Sequence, residues 1–253
     1  MPDLFAILHE DANLLVVNKP AGLVCHPTKT DERSSLIGRA RLHLGDAGTP
    51  HLVNRLDRET SGIVILAKNS GCAGELGKIW ESRAVLKEYL AIVHGRVADD
   101  HGTIEAPLGK DLHSRVAIKD CVREDGAPAR TEFWVERRFE LRGSTNTAYS
   151  LLRIRPLTGR KHQIRIHLAH RGHPIVGDKI YGGDEDLYLA LVEDRLTPAQ
   201  RSRLLLPFQA LHANRLQFTL RDRQFDFAAR PEPWFEAFAA GTTKMTMTND
   251  ETA

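Results

Sequence analysis

The run from Ser61 to Ala67, SGIVILA, constrains the fold of this chain more than any other stretch. It is rich in β-branched residues, carries no charge, and is too short for a buried helix. The run therefore predicts a strand that is buried on both faces. Such a strand has to be covered by other elements above and below it.

Other short apolar runs predict further strands, which mostly follow one another directly instead of alternating with helices. These strands are expected over 4–8, 14–18, 86–93, 131–139, 149–155, 211–220 and 224–228. Helices are expected over 34–44, 72–83, 161–171, 184–206 and 231–239. We interpret 98–130 as a surface arm outside the core, with a β-excursion around 114–121. This order favours an α+β fold with a mixed, mainly antiparallel sheet flanked by helices.

The length and composition suit one globular domain. At 253 residues the chain has ample material for a core, and its charged content of 27% is ordinary. No apolar run approaches the length of a membrane span. Acidic residues also interrupt the N-terminus, where a signal peptide needs a basic start and an unbroken apolar core. We expect one cytoplasmic domain over 1–239 and a polar, disordered tail over 240–253.

The residues that commonly bind metals show no convincing pattern. The three cysteines are widely spaced and belong to no paired motif, so we expect them to be buried or half-buried: Cys25, Cys72 and Cys121. Three histidines recur at a spacing of three, namely His167, His170 and His173. They lack supporting cysteines or carboxylates, and neither HExxH nor CxxC occurs. We therefore predict no metal site.

The charge is unevenly distributed, although the net charge is only +2. From residue 141 to residue 177 there is no Asp or Glu, while several arginines and a lysine fall in this segment. A segment of this kind favours a polyanion or an anionic substrate as the partner.

Asp57 is the strongest candidate for a catalytic group. It lies between Arg55 and Arg58 on the loop that enters the predicted buried strand, and this pattern is more often only a solvated ion pair. Three features favour chemistry instead. Cationic neighbours keep a carboxylate ionised, residues 60–62 offer hydroxyls and a close backbone approach, and the acid-free segment 141–177 suits a polyanionic substrate.

Two further groups of residues have both a structural and a functional interpretation. Strand alternation puts Lys87 and Tyr89 on one face, where Tyr89 is either a half-buried aromatic or a platform for an unstacked base with Lys87 beside it for phosphate. The sequence TGRKHQIR is either ordinary helix surface or an anion site at a helix N-terminus, formed by Arg160, Lys161, His162 and Arg165.

These motifs together carry a family resemblance. RLDRETSG, KEYLAIVHG, PLTGRKHQIRIHLAHRGHPIVGDKIYG and LHA occur in an order and at spacings that resemble the RluA-type pseudouridine synthases, which isomerise uridine in ribosomal or transfer RNA. The resemblance runs from about residue 14 to residue 227. It implies a mixed sheet crossed by an RNA-binding cleft, a single catalytic domain, RNA as the partner, and no cofactor or metal. We also expect a monomer.

The resemblance implies a role for individual residues. Asp57 is then the essential carboxylate, Tyr89 stacks on the target base, and Arg165 pairs with Asp57 and holds it. Arg55 resembles the family arginine that helps to displace the target nucleotide, and Leu211 resembles an apolar contact near the site. The residues expected to bind RNA are Arg55, Lys87, Arg160, Lys161, His162 and Leu211.

The sequence departs from the family pattern in two respects. Family members usually carry His immediately before Arg-Leu-Asp, whereas this chain has Asn54, with His51 three residues earlier as a possible substitute. Many relatives also begin with an S4-type RNA-binding domain. The motifs of this chain start close to Met1, so we expect its RNA affinity to come from the catalytic core itself.

The mechanism and the function each leave alternatives open. Asp57 either removes a proton from C2′ to give a glycal-like intermediate or attacks the sugar directly. An RNA N-glycosidase would need a second carboxylate to activate water, for which Glu59 is the nearby candidate. An RNA chaperone on the same fold is the other alternative. The motifs do not distinguish ribosomal from transfer RNA as the substrate.

Overall fold

The computed structural model describes residues 5–27, 32–141 and 147–242. Its main sheet has ten strands: β1 Ala6–Glu10, β2 Leu14–Lys19, β3 His51–Leu52, β4 Ser61–Ala67, β5 Leu86–His94, β6 His101–Glu105, β9 Arg130–Glu140, β10 Ala148–Pro156, β11 Leu211–Leu220 and β12 Arg223–Ala228. A separate small sheet consists of β7 Leu108–Lys110 and β8 Asp120–Val122. The helices are α1 Leu36–Leu44, α2 Ser70–Glu81, α3 Gln163–His170, α4 Asp186–Val192, α5 Pro198–Leu204 and α6 Pro233–Ala239, with 3₁₀ turns at Glu32–Ser34 and Gly45–Ala47.

The sheet order confirms a mixed, mainly antiparallel α+β fold. The strands follow one another as β1-β2-β4-β11-β5-β10-β9-β6, with β12 paired to β11 and β3 paired to β4. β4 and β11 run parallel and meet through the pairs Ser61–His212 and Gly62–Ala213. Gly62 is required here because its φ is 115° and a Cβ atom would lie 2.3 Å from the carbonyl oxygen of Ala213.

Strand β4 is buried along its whole length, as the SGIVILA run predicts. Val64 and Leu66 pack in the cluster that contains the buried face of α1, while Ile63 and Ile65 pack in the cluster that contains Leu76 of α2. Both covering helices begin at side-chain caps. Ser35 accepts a hydrogen bond from the N–H of Gly38 in α1, and Asn69 accepts one from Cys72 in α2.

The region 98–130 differs from its prediction as a surface arm. Its first part, β6, is an edge strand of the main sheet, paired with β9 from His101–Trp134 to Glu105–Arg130. The prediction was wrong because only Ile104 of this strand is buried, so the apolar alternation is too weak to recognise. Residues 107–128 do leave the main sheet, and their β-structure pairs β7 with β8. We call residues 107–128 the arm.

Two helix predictions also need correction. The stretch 184–206 is not one helical insertion but two helices. Thr197 and Gln200 form a capping box, and Pro198 follows in the first turn, so a new helix, α5, starts there. Helix α3 begins at Gln163, two residues later than predicted, because His162 has a left-handed backbone with φ of 54°.

The remaining expectations have mixed outcomes. Cys25 and Cys72 are buried and Cys121 is half-buried, as expected. No helix within the described ranges is long and apolar enough to cross a membrane. Most of the tail predicted over 240–253 lies outside the described residues.

His212 ties β11 to two other parts of the chain from a fully buried position. Its Nε2 lies 3.0 Å from the carbonyl oxygen of Ala229, which can only accept, so Nε2 carries the proton. Its Nδ1 then accepts a hydrogen bond from the hydroxyl of Ser61 at 2.9 Å. Burial lowers the pKa of His212 to about 4, so the folded protein holds this imidazole neutral.

We predict that His212 makes the protein sensitive to acid. Between about pH 6.5 and pH 4 the unfolded chain binds a proton at this residue and the folded chain does not, so the free energy of unfolding falls as the pH falls. The contribution of one such histidine is up to about 3 kcal/mol. Urea unfolding at pH 7 and pH 4.5 should show a smaller loss for His212→Gln than for the wild type. His101→Gln, at an exposed histidine, should lose as much free energy of unfolding between pH 7 and pH 4.5 as the wild type. Equal losses in all three proteins would contradict the prediction.

Candidate functional site

A cleft of about 740 Å³ crosses the sheet where β4, β11 and β5 lie beside the loop that precedes α3. The nine residues that were predicted to be catalytic or to bind RNA all line this one cleft: Arg55, Asp57, Lys87, Tyr89, Arg160, Lys161, His162, Arg165 and Leu211. The cleft therefore brings together four segments that lie far apart in the sequence.

The loop that carries Asp57 is fastened to β4 by Asn54. The Asn54 side chain donates from Nδ2 to the carbonyl oxygen of Ile63 at 3.1 Å and accepts at Oδ1 from the N–H of Ile65 at 2.8 Å. β3 pairs with β4 through its backbone, and the Asn54 side chain adds two further hydrogen bonds to the backbone of β4 just after β3 ends. His51 does not substitute for the missing histidine, because it lies in β3 opposite Ala67 and is not among the residues that line the cleft.

The opposite side of the loop is held by buried Lys19. Its ammonium donates to the carbonyl oxygens of Pro20, Leu23 and Arg58, the last at 3.2 Å. The N–H of Gly22 also donates to the carbonyl oxygen of Arg58 at 2.9 Å. Burial removes water from the Lys19 ammonium and lowers its pKa to about 8. The three carbonyl oxygens replace the hydrogen bonds to water that the ammonium loses.

A third anchor lies two residues after Asp57, at Glu59. Both carboxylate oxygens of Glu59 lie 2.8 Å from Nζ of Lys179, which is itself buried. The next residue, Thr60, accepts a hydrogen bond from the Gln209 side chain at 2.6 Å. Asp57 therefore stands on a short loop whose backbone has little freedom to move.

Arg165 links Asp57 to a second carboxylate that the sequence analysis did not identify. Its Nη1 donates to Oδ2 of Asp57 at 2.8 Å, while Nε and Nη2 donate to Asp178 at 2.7 and 2.9 Å. Asp178 is buried and also accepts from the N–H groups of Ile180 and Tyr181. Burial opposes the ionisation of Asp178, but the charge and hydrogen bonds of Arg165 outweigh it and lower its pKa. This bidentate pair fixes the guanidinium, so that one nitrogen faces Asp57.

Tyr89 and Lys87 lie on the cleft face of β5. Burial, together with the charge of Asp57, raises the pKa of Tyr89 to about 12, so its phenol is neutral at ordinary pH. Burial lowers the pKa of Lys87, whose Nζ lies 5.9 Å from the ring centre of Trp80. Within the described part of the chain Lys87 has no carboxylate partner, so it is a cation available to a ligand.

The lining of the cleft is strongly cationic. Among the described residues it includes seven lysines and arginines but only two carboxylates, Asp57 and Glu88. Glu88 is already bound to Arg153 and Arg155, at 3.1 and 2.9 Å. Of the predicted RNA-binding cations, Lys161 differs from the others because its Nζ is paired with Asp120 at 2.9 Å. The excess of positive charge suits an anionic ligand.

His162 projects into the cleft beside Asp57. Its Nδ1 lies 2.9 Å from the hydroxyl of Tyr181, and its Nε2 lies 3.9 Å from Oδ1 of Asp57. Burial and the charge of Arg165 lower the pKa of His162 to about 4, so this imidazole is neutral. Its side chain is only 8% exposed.

Sequence reasoning missed Asp178 and the Glu59–Lys179 pair as parts of the site. A signal for Asp178 was available, because it is the first acidic residue after the long acid-free segment. The histidines at a spacing of three do not converge. His167, for example, is buried between Thr131 and the carbonyl oxygen of Ala106. No group of three or more His, Cys, Asp or Glu residues that could hold a metal occurs in residues 5–27, 32–141 and 147–242.

Comparison with known sequences gives consistent matches. The family described as RNA pseudouridylate synthase matches residues 13–170. The dual-specificity RNA pseudouridine synthase RluA of Vibrio parahaemolyticus is 40% identical over 180 residues, which cover 71% of this chain and 70% of that one. The ribosomal large subunit pseudouridine synthase D of Nitrosomonas europaea is 35% identical over 219 residues, which cover 84% of this chain and 57% of the relative. The chain thus spans little more than half the length of some curated relatives that it matches.

Comparison with solved structures gives matches over nearly the whole chain. Human RNA pseudouridylate synthase domain containing 1 superposes with a TM-score of 0.73 at 25% identity, over 95% of this chain and 89% of that one. Human RNA pseudouridylate synthase domain containing 4 superposes with a TM-score of 0.70 at 26% identity, over 93% of this chain and 92% of that one. The overall fold is therefore shared with these proteins.

We predict that Arg165 matters more for stability than Asp57 does. Arg165→Met leaves Asp178 buried without its cation, which should lower the free energy of unfolding by about 3–5 kcal/mol. Asp57→Asn changes a side chain that is 32% exposed and should cost less than about 1 kcal/mol. Urea unfolding at pH 7 measures both. The double variant Arg165→Met, Asp178→Asn should recover part of the loss, and equal losses for the two single variants would contradict the prediction.

Proposed function

This chain belongs to the RNA pseudouridylate synthase family, and from its cleft we propose that it isomerises specific uridines of RNA to pseudouridine, with Asp57 as the catalytic carboxylate. The observation that carries the proposal is the position of Asp57. It lies in a cationic cleft, held by Arg165, with Tyr89 of β5 lining the same cleft. We further propose that residues 1–239 act as one catalytic domain, as a cytoplasmic monomer, and without a cofactor or metal.

The reaction breaks the bond between C1′ and N1, turns the uracil, and joins C1′ to C5. Overall one proton moves from C5 to N1, so no atoms are gained or lost. Asp57 either removes a proton from C2′ or attacks C1′, and both routes need one ionised carboxylate held in place. The loop anchors at Asn54, Lys19 and Lys179 supply that rigidity.

The target uridine has to leave its stack before Asp57 can reach it. Turning a nucleotide out of a helix costs a few kcal/mol, and a uridine in a loop or bulge avoids most of this cost. We propose that Tyr89 stacks on the extruded base, that Arg55 helps to displace it, and that Leu211 is its apolar contact. Lys87, Arg160, Lys161 and His162 are the further residues proposed to contact RNA.

Two observations favour isomerisation over hydrolysis of the same bond. A glycosidase needs a second carboxylate that activates water. Glu59, the candidate from sequence, is bound to Lys179 and does not line the cleft, and Glu88 is bound to two arginines. An RNA chaperone remains the other alternative. RNA binding alone does not require a carboxylate held in the cleft, so this alternative does not account for the pairing of Asp57 with Arg165.

Structured loops of ribosomal or transfer RNA are the substrates that we propose. The relatives include one with dual specificity and one that acts on the ribosomal large subunit, by their names. The arm and the helices α4 and α5 are the segments that we expect to select among RNAs, since they lie outside the cleft motifs. Glu185, at the start of α4, joins these two segments through Ser114 and Lys119 of the arm.

We predict that Asp57→Asn abolishes catalysis and leaves RNA binding nearly intact, because the asparagine keeps the shape of the side chain but not its charge. Pseudouridine is first mapped in total RNA from cells with and without this protein. Purified protein is then added to the RNA from the cells that lack it, and pseudouridine is mapped again. Asp57→Asn should give no product at the mapped uridine, whereas Asp100→Asn, at an exposed carboxylate that pairs with Arg138 outside both the cleft and the arm, should match the wild type. Product from Asp57→Asn would refute its assignment, and release of free uracil by the wild type would indicate a glycosidase.

We also predict a specific salt dependence for Lys87. Each phosphate contact contributes about 0.7–0.9 to the slope of log Kd against log salt, because binding releases counterions. Lys87→Met should reduce this slope by about one such contact, since Lys87 faces the cleft without a carboxylate partner. Lys78→Met, at an exposed lysine of α2 outside the cleft, should leave it unchanged. Fluorescence anisotropy with the Asp57→Asn protein as background measures the slopes, and equal slopes would contradict the prediction.

A further inference from the structure

His162 has an unusual backbone for a residue that is not glycine. Its φ of 54° and ψ of 16° lie in the left-handed region, at the position that precedes α3. A single residue in this conformation costs about 1 kcal/mol or more and persists only where its surroundings impose it. Here the surroundings hold the imidazole in the cleft, packed edge-on against the ring of Tyr181.

The hydrogen bonds of Tyr181 determine which nitrogen of His162 carries the proton. The N–H of Asp120 donates to the Tyr181 oxygen at 3.2 Å, so that oxygen is already an acceptor. Burial raises the pKa of Tyr181, which therefore keeps its hydroxyl proton. Among the described residues only Nδ1 of His162, at 2.9 Å, is available to accept that proton in a hydrogen bond. The neutral imidazole then bears its own proton on Nε2.

The Nε2–H group of His162 is an unused donor next to the reacting centre. Its distance of 3.9 Å from Oδ1 of Asp57 is too long for a hydrogen bond. No other acceptor for Nε2 occurs in the part of the chain that the structure describes. A donor that faces the cleft and has no partner among the described residues is suited to a substrate atom that arrives beside Asp57.

The chemistry of the proposed reaction supplies such an atom. When the bond between C1′ and N1 breaks, its electron pair leaves with the uracil, and the negative charge spreads over N1, O2 and O4. This holds whether Asp57 attacks C1′ or removes the C2′ proton. O2 is attached to the carbon next to N1, so it is the uracil oxygen nearest to C1′ and to Asp57, whereas O4 lies on the far side of the ring.

We infer that Nε2–H of His162 donates a hydrogen bond to O2 of the departing uracil and stabilises the uracil anion. The inference rests on the proposed function. A neutral imidazole suits this task, because it polarises the oxygen but keeps its own proton. An imidazolium would protonate the base and favour its loss. The anion therefore retains the electron pair with which C5 forms the new bond to C1′, and no other reactant is needed.

The experiment replaces the hydrogen-bonding atoms on both partners. RNA stem-loops are synthesised that contain the mapped target position as uridine, 2-thiouridine, 4-thiouridine or 2′-deoxyuridine. Single-turnover rates are measured for the wild type and for His162→Asn. Asparagine tolerates a left-handed backbone but is too short to reach the substrate oxygen. The ratio of the two rates on one RNA cancels the intrinsic reactivity of its base, and Kd is measured for each pair.

On uridine we expect His162→Asn to be slower on the order of 10- to 100-fold, the usual range for a lost hydrogen bond to a charged group. The ratio should fall below about 3-fold on 2-thiouridine, because sulfur is a weak acceptor, and should stay at its uridine value on 4-thiouridine. Kd should change less than about 2-fold, because the neutral base in the ground state attracts the donor weakly. A residue with only a structural role would slow all four RNAs alike and weaken binding.

Other results overturn the inference. Equal ratios on uridine and 2-thiouridine would show that O2 is not the acceptor. A ratio that collapses only on 2′-deoxyuridine would assign the donor to the ribose hydroxyl instead. Either result leaves the proposed function standing, because the wild type still forms pseudouridine. If the wild type forms no pseudouridine at any uridine of the RNA, the proposed function fails and the inference fails with it.

Discussion

The buried pair of Arg165 and Asp178 is the interaction on which the site depends. A guanidinium placed beside Asp57 with no second partner would be free to rotate, and a single pair at the cleft wall would be weakened by water. Asp178 prevents both, because it takes two of the guanidinium's hydrogen bonds in the interior and leaves one nitrogen for Asp57. The arrangement fixes the direction in which the Asp57 carboxylate points before a substrate binds.

The cations in and around the cleft divide into two groups with different partners. Lys19, Arg165 and Lys179 are buried and bound to carbonyl oxygens or carboxylates, so they hold the chain in position. Arg55 and Lys87 face the cleft without such partners in the described residues, so they are available to phosphates. Positive charge in this protein therefore holds the loop around Asp57 in place, and under the proposed function separate residues attract the RNA.

Most of the sheet could be predicted from the sequence because strands depend on local patterns, whereas the residues that line the cleft could be predicted because their motifs resemble those of a known family. β4 is a strong case, since a short run of β-branched residues has few alternatives, and β6 was missed because one buried isoleucine leaves no pattern. Asp178 and the orientation of His162 could not be predicted in this way. The first depends on how the chain folds back after α3, and the second on a left-handed backbone that residue type does not specify.

The parallel contact between β4 and β11 affects how the protein is made. Ser61 and His212 are bonded across a separation of 151 residues, and the walls of the cleft come from both strands. A chain emerging from the ribosome therefore carries Asp57 long before it carries the strand that completes the cleft. Contacts between such distant segments form late, since closing a long loop costs entropy first. The cleft proposed to bind RNA is thus incomplete until the residues of β11 near 213 have been synthesised.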